Sequence, residues 1–146
     1  MSSVTFPRLL AAGFLAGLIM NIGEAALHAG VLGQDTEVLY KTLNAPFPNP
    51  ATTIPILVGT TFLMGIVSMW LYVAIRPRFG SGAKPAMITG LVVWFFAHAW
   101  SGVYLSAGYA GIFTTKLAWV PVAWGLVEAT LSILVGAKLC KESRVG

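Results

Sequence analysis

Residues 117–137 read LAWVPVAWGLVEATLSILVGA, a run in which the only ionisable side chain is Glu128. A helix of about 20 residues rises about 30 Å, the thickness of bilayer hydrocarbon. The run therefore reads as a membrane-crossing helix. Three further stretches read the same way, at about 9–32, 54–75 and 85–107. Together they predict an all-α integral membrane protein: an antiparallel four-transmembrane-helix bundle that makes a single membrane domain of residues 1–146.

Composition agrees. Of 146 residues, 57% are hydrophobic and 10% charged, against about 25% charged in a soluble domain. Orientation follows from the basic residues. Arg8, Arg76, Arg78, Lys84, Lys138, Lys141 and Arg144 fall at the N-terminus, the middle loop and the tail, while Lys41 and Lys116 fall in the other two loops. Positive charge stays cytoplasmic, so both termini are expected inside, in a multi-pass protein of the cell's inner membrane. The net charge of +4 then reflects topology and contact with anionic lipid. The short Arg76-Pro77-Arg78 run lacks the basic patch with interleaved aromatics that nucleic acid requires, so no nucleic-acid partner is expected.

The first stretch is expected to be a retained span. Its Asn21, Glu24 and His28 would interrupt the apolar core of a signal peptide. The single cysteine, Cys140, can form no disulfide within the chain, and its position just past the fourth stretch suggests a quiet thiol near the headgroups.

The loops carry order more than chemistry. In the longest, 34–53, Asp35 stands as a helix-cap candidate ahead of Val38, Leu39 and Leu43 at helical spacing. This predicts a short amphipathic helix over 35–43, lying in the outer interface. Pro46, Pro48, Pro50 and Pro55 then predict extended backbone up to the second span. The stretch 76–84 reads as a tight basic turn around Gly80, Ser81 and Gly82, without the spacing of a phosphate-binding loop.

At 100° per residue, Gly13, Gly17, Asn21, Glu24 and His28 fall on one side of the first helix. Thr61, Gly65, Ser68 and Tyr72 do so on the second. Trp94, His98, Ser101 and Gly102 share a side of the third, and Pro121, Trp124, Glu128 and Ser132 of the fourth. Each helix thus offers one weakly polar face to its neighbours and one apolar face to lipid. Small residues outside these stripes, namely Ala12, Ala16, Gly59 and Gly136, are expected on outer faces that contact other subunits.

An ionisable side chain in hydrocarbon costs about 3 kcal/mol on insertion scales, so such residues mark functional sites by default. Counting about 1.5 Å per residue from each segment's centre puts Asn21, His98 and Glu128 near mid-depth and Glu24 about one turn further out. These four are the expected polar site, with His28 nearer the outer mouth. Inside such a core the groups are expected to answer one another, one carboxyl donating to a neighbour. A di-iron centre would want Glu-x-x-His pairs, and Glu24 and His28 are four apart, so neither a metal nor a catalytic residue is assigned. Non-covalent haem or chlorophyll is a possible ligand of His98, or less readily of His28, with Trp94, Phe95, Phe96 and Trp100 near in sequence to His98.

The functional expectation is therefore an accessory or structural subunit of a larger membrane complex, of which an energy-transducing one is an example. Its partners would be lipids and either other membrane subunits or a second copy of itself. The alternatives are a proton-coupled transporter of a small molecule or ion, using Glu24 and Glu128, and a membrane-embedded enzyme. The similar segments Gly23-Glu-Ala-Ala-Leu27 and Val127-Glu-Ala-Thr-Leu131 hint at an internal repeat, a habit of transporters.

Overall fold

The structure, a computed structural model, describes residues 4–140. Lys141, Arg144 and both chain ends, used above to read orientation, lie outside the described residues. Among the described residues the chain is helical, with five helices and no strand. These are α1 (Phe6–Val31), α2 (Gly33–Thr42), α3 (Pro50–Phe79), α4 (Ala83–Gly108) and α5 (Thr115–Leu139). All but α2 are long and apolar enough to cross a membrane.

Local chemistry sets the helix ends. Asn49 precedes α3 and its side chain accepts the Ala51 N–H at 3.0 Å, while Thr114 caps α5 through the Leu117 N–H at 3.2 Å. Both satisfy donors that a helix start leaves free. The proline stretch corrects the sequence reading, because extended backbone stops at Asn49 and Pro50 opens α3. Proline in a first turn gives up no hydrogen bond. Pro55 lies one turn on and leaves a single carbonyl, that of Ala51, without its helical donor, a small loss in a helix of 30 residues. The expected basic turn is likewise shorter. Helix α3 runs through Pro77 to Phe79, and the chain reverses at Gly80 (φ 80°) and Gly82 (φ 113°), backbone that glycine alone adopts without strain.

Helix α2 forms where a short helix was expected, but from Gly33. Asp35 therefore lies inside its first turn instead of capping it, and its carboxylate pairs with Lys116 at the start of α5, 2.6 Å away. Val38 and Leu43 stay exposed. Lys41 sits 2.7 Å from Glu37 and holds that carboxyl below its ordinary value. The pair thus supports α2 above the ordinary carboxyl range and is lost as pH falls through the lowered value.

Helix α1 packs chiefly on α3 and α5, and α4 chiefly on α5. Between α1 and α3 the backbones meet almost without side chains. A Cβ placed on Gly65 would lie 2.5 Å from the Gly13 carbonyl and 2.5 Å from the Gly17 nitrogen. The core gathers Ala12, Ala16 and Met20 of α1 with Met69 and Tyr72 of α3, Ala86 of α4, and Ile133 and Ala137 of α5. Ala12, Ala16 and Gly136, expected on outer faces, are thus internal. A Cβ on Gly136 would stand 2.9 Å from the Ala12 carbonyl. Smallness here serves contacts within the chain, and only Gly59 of that set is open. At the end of α5, Arg76 donates to the Cys140 carbonyl at 3.2 Å, a cation where helix carbonyls are left over. Burial pushes the Cys140 thiol up, which keeps it protonated and unreactive.

Gly65→Leu is expected to destabilise the fold by about 1–3 kcal/mol or more, because neither backbone can yield space. Gly59→Leu, on the same helix and in the open, should change stability by less than about 0.5 kcal/mol. Unfolding in mixed detergent micelles compares the two. Equal losses would mean that α1 and α3 do not meet at Gly65.

Candidate functional site

Two of the four long helices contain a π turn, Ala26–Val31 in α1 and Phe95–Ala99 in α4. Each holds one of the chain's two histidines, His28 and His98. A π turn inserts one extra residue and rotates the following side chains off the 3.6-residue stripe, and such bulges concentrate at functional sites. Here they lie on the two helices that bring ionisable groups towards α5.

On α1, the His28 Nε2 stands 3.1 Å from the Glu24 Oε2. The pair is partly open, with Glu24 27% and His28 59% exposed. On α5, Glu128 is only 7% exposed. Its Oε2 accepts the Trp124 indole N–H at 2.7 Å, and its carboxyl lies directly over Gly23 of α1. The ring of His98 lies in the same way over Gly125. Nearby, the Trp94 N–H donates to the Val122 carbonyl at 2.8 Å and ties α4 to α5. Glu24 is within electrostatic range of His98, and Glu128 of both Glu24 and His28. Glu24, His28, His98 and Glu128 thus share one neighbourhood where α1, α4 and α5 meet.

Asn21, expected in this group, is not part of it. Its amide donates to the Gly17 carbonyl at 2.8 Å and to the Val58 carbonyl at 3.4 Å, so it faces α3. The stripe on α1 is wide enough to serve two neighbours, and Asn21 falls on the α3 side. His28, expected nearer the outer mouth, is bonded to Glu24. Ser101 is exposed and bonded to its own helix at the Ala97 carbonyl. Phe95, Phe96 and Trp100 point outward, between 46% and 69% exposed, so the aromatics near His98 in sequence do not surround it.

Between α1 and α5 an open groove of about 610 Å³ is lined by Ile19, Ile22 and Gly23 on one side and by Val120, Ala123, Val127 and Leu131 on the other. Trp124 and the buried Glu128 complete the lining. A carboxyl at the floor of an apolar groove can hold a proton, accept a hydrogen bond or pair with a cation. The Glu24–His28 pair and the His98 imidazole are each able to take up or release a proton. Among the described residues, no three His, Cys, Asp or Glu side chains converge closely enough to hold a metal ion. Ser132 is committed to the Glu128 carbonyl at 2.7 Å and so is not presented as a nucleophile.

Sequence reasoning did not find the π turns, which leave no signature in residue type. It placed Trp124 and Glu128 on one stripe without pairing them, although a spacing of four puts two helix side chains side by side. The segments 23–27 and 127–131, noted for their likeness, do meet, through Gly23 and Glu128. Compared with protein families, with characterised proteins and with solved structures, the chain matches none.

Removing the indole N–H in Trp124→Phe leaves a buried carboxyl oxygen without its donor and is expected to cost about 1–3 kcal/mol. Trp119→Phe, at an exposed position on the same helix, should cost less than about 0.5 kcal/mol. If thermal unfolding in detergent ranks them equally, the Trp124–Glu128 bond does not hold the site.

Proposed function

We propose that this chain is a multi-pass protein of the cell's inner membrane, with both termini cytoplasmic, that serves as a small accessory subunit of a larger membrane assembly. Membrane insertion is supported by the length and apolarity of α1, α3, α4 and α5. An antiparallel bundle is supported by the order of their contacts. Gly13 and Gly17 of α1 lie against Ile66 and Phe62 of α3, while Ala12 and Gly23 of α1 lie against Gly136 and Glu128 of α5. Gly90 and Gly102 of α4 lie against Thr130 and Val122 of α5. In each pair, advancing along one helix means retreating along the other.

The observation that carries the subunit reading is Glu128. A carboxyl deep in an apolar helix is expensive unless it is answered, and this one opens onto a groove instead of onto a basic side chain. Among the described residues, the donor it accepts from is one indole N–H. A neighbouring subunit seated on α1 and α5 would close the groove and complete the site.

A second reading, proton-coupled transport, is favoured by a different observation: Glu24 lies within electrostatic range of His28, His98 and Glu128, linking groups on three helices. Carboxylates and imidazoles so placed can relay a proton.

One comparison separates the two. Purified from native membranes in mild detergent, the wild-type chain is expected to retain partner subunits in fixed ratio, and Glu128→Leu to lose at least about tenfold of them. The lone chain in proteoliposomes should carry no proton flux. Flux that disappears in both Glu24→Gln and Glu128→Gln would establish the transport reading and overturn the subunit one.

A further inference from the structure

The groove's shape suits a helix. Along α5 it runs from Val120 to Leu131, twelve residues and eleven rises of about 1.5 Å, or about 16 Å, which is three helical turns. Its α5 wall, Val120, Ala123, Val127 and Leu131, follows the three- and four-residue spacing of a helix face. Gly23 and Ala123 keep that face low, as close approach of a further helix requires.

Charge then selects among helices. Glu128 lies within electrostatic range of Glu24 and His28 on α1 and accepts the Trp124 N–H on its own helix, while from α4 the imidazole of His98 lies against Gly125. No Lys or Arg among the described residues pairs with it. The described basic side chains lie at helix ends or in α2: Arg8, Lys41, Arg76, Arg78, Lys84, Lys116 and Lys138. A Lys or Arg at the depth of Glu128 would therefore have to come from outside the described chain. A second copy, over its described residues, offers Lys and Arg only near the ends of its long helices and in α2, and a lipid acyl chain fills the groove without supplying one.

We infer that the α1–α5 groove seats a transmembrane helix of a partner subunit carrying one Lys or Arg at the depth of Glu128. The inference rests on the subunit reading and names the partner's chemistry. The partner's apolar face packs against Ile22, Ala123, Val127 and Leu131, and its cation meets Oε1, the carboxyl oxygen not used by Trp124. A carboxylate has about four acceptor positions, so both bonds are compatible.

The test uses the full chain in lipid nanodiscs and three synthetic Leu/Ala membrane helices of about 20 residues. Each carries a photoreactive leucine beside a central Lys, Leu or Glu. The Lys peptide is expected to label α1 and α5 around the groove at least about tenfold more than the Leu peptide. Glu128→Gln should bring it down to the Leu level. Ala123→Trp, which fills the groove from an exposed position and leaves the core alone, should abolish labelling with unchanged circular dichroism. Equal labelling by Lys and Leu peptides overturns the inference, as does labelling elsewhere or efficient cross-linking of two copies through Ala123. If such a chain still retains fixed partners in native membranes, the subunit reading survives without this site. A chain that is solitary there overturns both.

Discussion

In helices as apolar as these, a carboxyl has to be answered within a few ångströms, and Glu128 is answered by one indole N–H. Everything near it follows from that requirement. Trp124 lies one turn away on the same helix, where its donor reaches without any movement of backbone. Gly23 of α1 has no side chain, so the carboxyl can lie on the helix surface. Gly125 does the same for His98. Each of these two groups occupies space that a glycine of the neighbouring helix gives up, so the polar site depends on close packing as much as on charge.

That packing comes from the contacts among the other helices. Glycines 13, 17 and 65 let α1 and α3 touch along their backbones, and Gly90 and Gly102 let α4 approach α5. Where no hydrophobic effect separates helix from lipid, such contact is the main attraction available. Helix α1 is held firmly against α3 along one face. Against α5 its contact is close at Gly136 and at Gly23, and the groove opens beside the second of these. The same arrangement that buries the core thus leaves the carboxyl facing an apolar opening.

Much of this is legible in the residues, and what is not has identifiable causes. Long apolar runs fix the four helices, because only a helix satisfies its backbone over such a length. Helical spacing picks out Gly13, Gly17, Gly65, Ser68 and Tyr72 as inward, and they are buried. Helix ends are less legible where proline is involved: Pro50, Pro55 and Pro77 all read as breaks, yet a long packed helix absorbs a lost hydrogen bond at either end. The site was half legible. Glu24, His98 and Glu128 come together, but periodicity cannot say which neighbour a side chain meets, and so Asn21 went to α3. The π turns that carry both histidines shift the register by a residue, which no stripe drawn at 100° can anticipate. Ala12, Ala16 and Gly136 show the same limit from the other side, since a small residue marks a close contact without saying whether the contact is with its own chain.

The central claim is that Trp124 and Glu128 lie deep in the membrane, at a groove open to its interior. A variant whose only tryptophan is Trp124, with the other four changed to Phe, tests it in bilayers of lipids brominated at defined acyl positions. Strong fluorescence quenching by mid-chain bromine, and weak quenching by bromine near the headgroup, is the expected result. Emission that no brominated lipid quenches, but that a water-soluble quencher does, would contradict it.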